Sequence, residues 1–171
     1  VNPAVLNSAK KDAKIYNSAE MNLDEVIEVM KDAESKGLST ARVHTGDPSI
    51  YGAIREQIDR LDSLGIESKV IPGVSSAFAT AAALKMEYTL PDVSQTVIFT
   101  RMEGRTPMPD GEKLEDLAKH QATMVIFLSV GFLDRMSKQL IAGGYKEDTP
   151  VAVVYKASWP EQKVVTGTLK D

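Results

Sequence analysis

Twice in the first half of the chain a short apolar run gives way, through a turn rich in glycine and proline, to a helical pattern, and this alternation limits the possible folds. Ala41 to His44 reads as a strand, Thr45-Gly46-Asp47-Pro48 as a turn, and Ile50 to Leu64 as an amphipathic helix ending at Gly65. Glu67 to Ile71 reads as the next strand, Pro72-Gly73-Val74-Ser75-Ser76 as a second turn, and Ala77 to Leu84 as a helix of small residues. Strands alternating with helices call for a parallel sheet. Ahead of them, Asn22-Leu23-Asp24-Glu25 has the spacing of a capping box, and Val26, Ile27, Met30 and Ala33 continue with helical period towards Gly37.

Leu90-Pro91-Asp92-Val93-Ser94 reads as a linker, which divides the chain into expected domains of residues 1–90 and 91–171. Beyond it, strands are expected at Thr96–Thr100, Thr123–Ser129, Pro150–Ala157 and Lys163–Leu169. Helices are expected at Glu112–His120 and Phe132–Ala142, the second stopped by Gly143-Gly144. Pro160 suits a hairpin-type connection between the last two strands, so this half should mix parallel and antiparallel pairs. No apolar run approaches the roughly 20 residues that span a bilayer, and no basic-then-apolar leader opens the sequence. A cytoplasmic protein is the expectation. The absence of cysteine excludes disulfides, thiolate nucleophiles and Cys-ligated metals, and two histidines leave little for a metal site. A net charge of -4 argues against a general nucleic-acid surface. Val1 in place of methionine, and an end at Thr168-Leu169-Lys170-Asp171 just after a strand-like run, point to a fragment.

Both turns follow a strand and open a helix, so in a parallel sheet both lie at its carboxyl edge, where such sheets hold ligands. Gly46 would let a ligand approach the backbone, Asp47 would supply a fixed acceptor, and Pro48 would stiffen the turn. An ordinary chain reversal explains the same residues, and helix N-capping explains Ser75 and Ser76. No Gly-Lys-Ser/Thr phosphate loop, Gly-x-Gly-x-x-Gly fingerprint or Gly-x-Ser-x-Gly elbow occurs. His44 is most simply a strand-end residue. Arg101-Met102-Glu103-Gly104-Arg105-Thr106-Pro107 forms a loop after a strand. Its two arginines could grip carboxylates in bidentate fashion, or the run could be a solvated loop with an internal Arg–Glu pair. Tyr155-Lys156-Ala157-Ser158-Trp159-Pro160 closes another strand with aromatic residues that suit either a core or a pocket wall.

Together, Thr45-Gly46-Asp47-Pro48-Ser49-Ile50-Tyr51-Gly52, Pro72-Gly73-Val74-Ser75-Ser76 and Pro150-Val151-Ala152-Val153-Val154-Tyr155 resemble the tetrapyrrole methylases, the class III S-adenosylmethionine-dependent methyltransferases. Ser94-Gln95-Thr96-Val97-Ile98-Phe99-Thr100-Arg101, the Glu103-Gly104-Arg105-Thr106-Pro107 loop and Trp159-Pro160 look like the branch that methylates C11 of (cobalt-)precorrin-4 in cobalamin synthesis. The resemblance runs through the whole chain. It implies two α/β domains, a parallel sheet in the first and a mixed one in the second, with S-adenosylmethionine in the cleft between them. It also implies a homodimer acting on a small-molecule tetrapyrrole, without nucleic-acid or membrane partners.

Carried over by position, Thr45, Gly46, Asp47, Ile50, Ser75 and Ser76 look like cofactor contacts, as do Leu128, Tyr155 and Ala157 from the second domain. Tyr51, Arg101 and Arg105 are expected to face the substrate's carboxylates. Methylation at C11 forms a quaternary carbon that releases no proton, so no general base or other catalytic residue is expected, and orientation carries the rate. Relatives begin with a strand and a Gly-x-Gly-Pro-Gly-Asp loop and add a helix and strand after Gly-Thr-Leu. Neither has a counterpart here, in keeping with a fragment whose own activity is not implied. Two other readings stay open: a methyltransferase of the same fold acting on uroporphyrinogen or of the diphthine type, or an inactive truncated module that self-associates through exposed sheet edges.

Overall fold

Capping and apolar periodicity set the first α-helix, which follows two short 3₁₀ turns at Pro3–Ser8 and Ser18–Glu20. The computed structural model describes residues 1–171 and divides by contacts into Val1–Ser76 and Ala77–Asp171. In the first unit, helix α1 (Leu23–Ser35) starts at the expected capping box: Asn22 Oδ1 accepts from the Glu25 N–H at 3.0 Å, and Glu25 Oε2 accepts from the Asn22 N–H at 2.7 Å. Its buried Ile27 and Met30 meet Leu61 of helix α2 (Arg55–Ser63), with Leu23, Val26 and Ile66 packed around them. An Asp24–Arg60 ion pair at 2.6 Å joins the two helices on their exposed side, where solvent leaves it little energy.

Helix α2 begins five residues later than its apolar pattern predicts, because Tyr51 (φ 55°) and Ala53 (φ 50°) take left-handed backbone between the turn and the helix. Gly52 lies folded against the turn, where an added Cβ would stand 2.1 Å from the Pro48 carbonyl oxygen. The segments 41–44 and 67–71, expected as paired parallel strands, form no ladder. Both instead line a hollow of about 540 Å³ that Met30, Ile54, Ile58 and Leu61 also line. Paired strands lie about 4.8 Å apart and exchange main-chain hydrogen bonds, and no such bond joins these segments. Val43, Val70 and Ile71 accordingly stay exposed.

The second unit holds both sheets, so the α/β class stands with its parallel pair placed here. Helix α3 (Ser76–Leu84) leads to strand β1 (Val97–Arg101), which pairs in parallel with β2 (Thr123–Phe127) from Val97↔Thr123 to Arg101↔Phe127. Helix α4 (Leu114–Ala118) makes the crossover, and helix α5 (Leu133–Ala142) follows β2. Strands β3 (Pro150–Tyr155) and β4 (Lys163–Thr168) form a separate antiparallel pair, so both pairings expected of this half occur, in two sheets rather than one. Met102, Leu114, Ala118, Leu140 and Leu169 form the buried core, with Met124, Ile126 and Val151 against it.

The contact division falls after Ser76, the first residue of α3, upstream of the linker at residues 90–94. The reason is local: Phe78 meets Phe99 edge-on at 5.9 Å, the Tyr88 hydroxyl donates to the Ala77 carbonyl at 2.5 Å, and the Thr123 hydroxyl donates to the Tyr88 carbonyl at 2.8 Å. No helix is long and apolar enough to cross a membrane.

Candidate functional site

The two glycine-bearing turns of the first unit fold onto each other, and Asp47 joins them. Its Oδ2 accepts the Gly73 N–H at 2.9 Å, while Oδ1 accepts the Ser49 N–H at 2.8 Å and the Ser49 hydroxyl. The Ser49 hydroxyl, then the Gly73 and Ser49 N–H groups, stabilise the carboxylate and hold its pKa below the usual value. Asp47 was expected to offer an acceptor to a ligand; both of its oxygens bind the protein's own turns.

Gly46 has φ 65°, and a Cβ there would stand 3.4 Å from Ser75 Cα and from the Ser76 nitrogen. At Gly73 a Cβ would lie 2.2 Å from the Gly46 carbonyl oxygen. What approaches the backbone at Gly46 is therefore the second turn, and the missing side chains permit that contact. Around it, Thr45, Gly46 and Ser76 are exposed and Ser75 is buried. The Thr45 and Gly46 N–H groups make no hydrogen bond within the protein, and both residues are exposed. The Ile50 N–H donates to the Asp47 carbonyl at 3.3 Å, and Tyr51 projects from its left-handed position with its side chain exposed. The structure thus gathers Thr45, Gly46, Asp47, Ile50, Ser75 and Ser76 around one pair of turns.

In the second unit, Leu128 follows the last residue of β2 with φ 55° and is 77% exposed, a rare setting for a large apolar side chain. Tyr155 ends β3 and is exposed, with the Lys156 ammonium 5.6 Å from its ring centroid and 4.8 Å from that of Trp159. Ala157 is half-buried between Lys156 (φ 48°) and Ser158 (φ 71°). Left-handed residues other than glycine cost free energy, and here Tyr51 and Leu128 are themselves candidates while Lys156 and Ser158 flank a third.

Arg101 and Arg105 stand differently from the expectation that both face a ligand. Arg101 Nη1 donates to the carbonyls of Met102 and Thr106 at 3.1 Å each, and Nη2 to that of Pro107 at 3.0 Å. Its guanidinium shapes the 102–107 loop. Arg105 is exposed and has no partner within the protein, and the internal Arg–Glu pair is not formed. Sequence reasoning missed Ser129, which is only 3% exposed: it accepts the Met102 N–H at 2.9 Å and donates to the Phe127 carbonyl at 2.7 Å. Its one signal was a lone hydroxyl closing the apolar run Met124-Val125-Ile126-Phe127-Leu128.

The chain is 64% identical over 171 residues to a cobalt-precorrin-4 C(11)-methyltransferase of Methanocaldococcus jannaschii, covering all of this chain and 66% of that protein. It is 48% identical over 171 residues to the enzyme of the same name from Priestia megaterium, again covering all of this chain and 66% of the relative. The chain thus spans just under two thirds of the length of these curated relatives. The X-ray structure of a cobalt precorrin-4 methyltransferase described as a cobalamin biosynthetic enzyme superposes with a TM-score of 0.97 at 48% identity, over 100% of this chain and 72% of that one. A uroporphyrin-III C-methyltransferase from Thermus thermophilus shares the fold at 22% identity with a TM-score of 0.70, over 86% of this chain and 64% of that one. The family model described as Tetrapyrrole (Corrin/Porphyrin) Methylases matches residues 1–171, and the chain belongs to that family.

Proposed function

We propose that the protein, at the length of its relatives, transfers a methyl group from S-adenosylmethionine to C11 of cobalt-precorrin-4 or precorrin-4 on the route to cobalamin. The observation that carries this reading is the 64% identity, unbroken over the chain, to a relative of that name. The N–H groups of Thr45 and Gly46, which have no acceptor within the protein and lie on a turn that Asp47 joins to the second, suit the polar groups of such a cofactor. When bound, S-adenosylmethionine supplies an electrophilic sulfonium methyl. Thr45, Gly46, Asp47, Ile50, Ser75 and Ser76 would hold it from the first unit, and Leu128, Tyr155 and Ala157 from the second. Asp47 acts there through the turn it fixes and its main chain, since its carboxylate is already engaged.

Tyr51 and Arg105 would face the substrate, with Arg105 supplying a planar donor pair for a side-chain carboxylate. Arg101 contributes by closing the loop that presents it. Because a quaternary C11 releases no proton on forming, the reaction calls for no general base, and the chain's part in catalysis is orientation, which can supply up to about 7 to 11 kcal/mol.

Steady-state methylation by Arg105→Ala and Arg101→Ala variants tests the assignment. Each should raise the tetrapyrrole KM about tenfold while leaving the KM for S-adenosylmethionine within about twofold. Unchanged tetrapyrrole KM values in both variants would remove the loop from the substrate site. A panel containing uroporphyrinogen separates this reading from the other tetrapyrrole branch.

A further inference from the structure

We propose that Ser129 is a positioning residue whose hydroxyl sets the carboxyl-terminal ends of β1 and β2 together, and so fixes both the donor-side and the substrate-side elements of the second unit. The inference rests on the proposed methyltransferase reading. Its basis is a single buried hydroxyl with two main-chain partners on different strands' exits. Ser129 Oγ accepts the N–H of Met102, the first residue after β1, and donates to the carbonyl of Phe127, the last residue of β2. Leu128, exposed at φ 55°, stands between Phe127 and Ser129 in the chain, and immediately beyond Met102 lies the loop that carries Arg105. Arg101 closes that loop from inside, but the loop's first N–H is fixed by Ser129 alone.

Removing the hydroxyl leaves the Met102 N–H without its acceptor in a site where Met102 itself is 4% exposed. A buried donor without a partner is costly enough that the strand exit would shift towards water. Such a shift would turn Leu128 and Arg105 away from the positions the fold now gives them.

The same strand pair contains its own control. At the amino-terminal end, the Ser94 hydroxyl accepts the N–H groups of Thr96 and Thr123 at 3.2 Å each and donates to the Thr96 carbonyl at 2.8 Å. That end carries no candidate ligand residue. Ser94→Ala thus removes a comparable hydroxyl bridge from the same sheet without touching the site.

The test is steady-state methylation with cobalt-precorrin-4 and S-adenosylmethionine, using the protein at the length of its relatives. Ser129→Ala should raise both KM values about tenfold, Ser129→Thr should bring both back to within about threefold of wild type, and Ser94→Ala should lower Tm with both KM values within about twofold of wild type. In a double-mutant cycle with Arg105→Ala, the effects on tetrapyrrole KM should fall short of multiplying, because Ser129 acts through the loop. Should Ser129→Ala fail to fold, Ser129→Cys keeps the size and weakens the bond, and is read against the same control. Ser129 variants that lower Tm like Ser94→Ala and leave both KM values unchanged overturn this inference alone. Absence of methyl transfer by the unaltered protein overturns the functional reading, and this inference with it.

Discussion

Asp47 shows how one side chain can fix the approach of two turns. Its carboxylate joins the 45–48 turn to Gly73, and Gly46 and Gly73 lack the atoms that would keep those turns apart. Hydrogen bonds from Ser49 and Gly73 depress its pKa. The contribution of the ionised form is therefore complete above the unfolded value of about 3.9 and is lost only as pH falls through the lower folded value. Asp47→Asn should weaken S-adenosylhomocysteine binding about tenfold at neutral pH. The stability difference between wild type and variant, followed by chemical denaturation, should hold steady from pH 8 to about 5 and close below about pH 4. A difference that grows on acidification would mean that the protonated form is the one the turns need. That residues 45–47 and 75–76 converge was legible from the two glycine-bearing turns, although no strand ladder leads into either. The binding of Asp47 by its neighbouring turn was not, because hydrogen-bond partners 26 residues apart leave no periodic trace.

At the scale of elements, the helices whose apolar spacing repeats were readable almost to the residue, as at Asn22 and α1. Segments that depend on a neighbour were not. Val43, Val70 and Ile71 have the composition of strands, yet a strand exists only where another chain segment accepts its hydrogen bonds, and here none does. Likewise Ile50 fits the helical period of α2, but the Pro48–Gly52 contact and the left-handed Tyr51 and Ala53 delay the helix to Arg55. Gly143 was read as a helix stop and is also a packing site: its φ is -78°, which any residue adopts, but a Cβ would lie 2.4 Å from both the Ala118 Cβ and the Glu115 carbonyl oxygen. Gly143→Ala should therefore lower the unfolding free energy by about 1 to 3 kcal/mol through overpacking of α5 on α4, measured by urea titration. A neutral or stabilising result would show that the two helices can separate at little cost.

Across the whole molecule, the first unit has a core of three buried apolar residues, while the second has five and both hydrogen-bonded ladders. Local stability should follow that asymmetry. In hydrogen exchange, amides of residues 41–44 and 67–71 should exchange fast, and those of β1 to β4 should be protected by factors of at least about a hundred relative to them. Protection at 41–44 equal to that of β2 would mean that the first unit carries a ladder after all. The methyltransferase reading is tested most directly by incubating the protein, at the length of its relatives, with cobalt-precorrin-4 and S-adenosylmethionine carrying a carbon-13 methyl group. One labelled methyl on a quaternary carbon at C11 is expected by NMR, with one equivalent of S-adenosylhomocysteine formed. Labelling at another ring carbon, or no transfer, would contradict that reading.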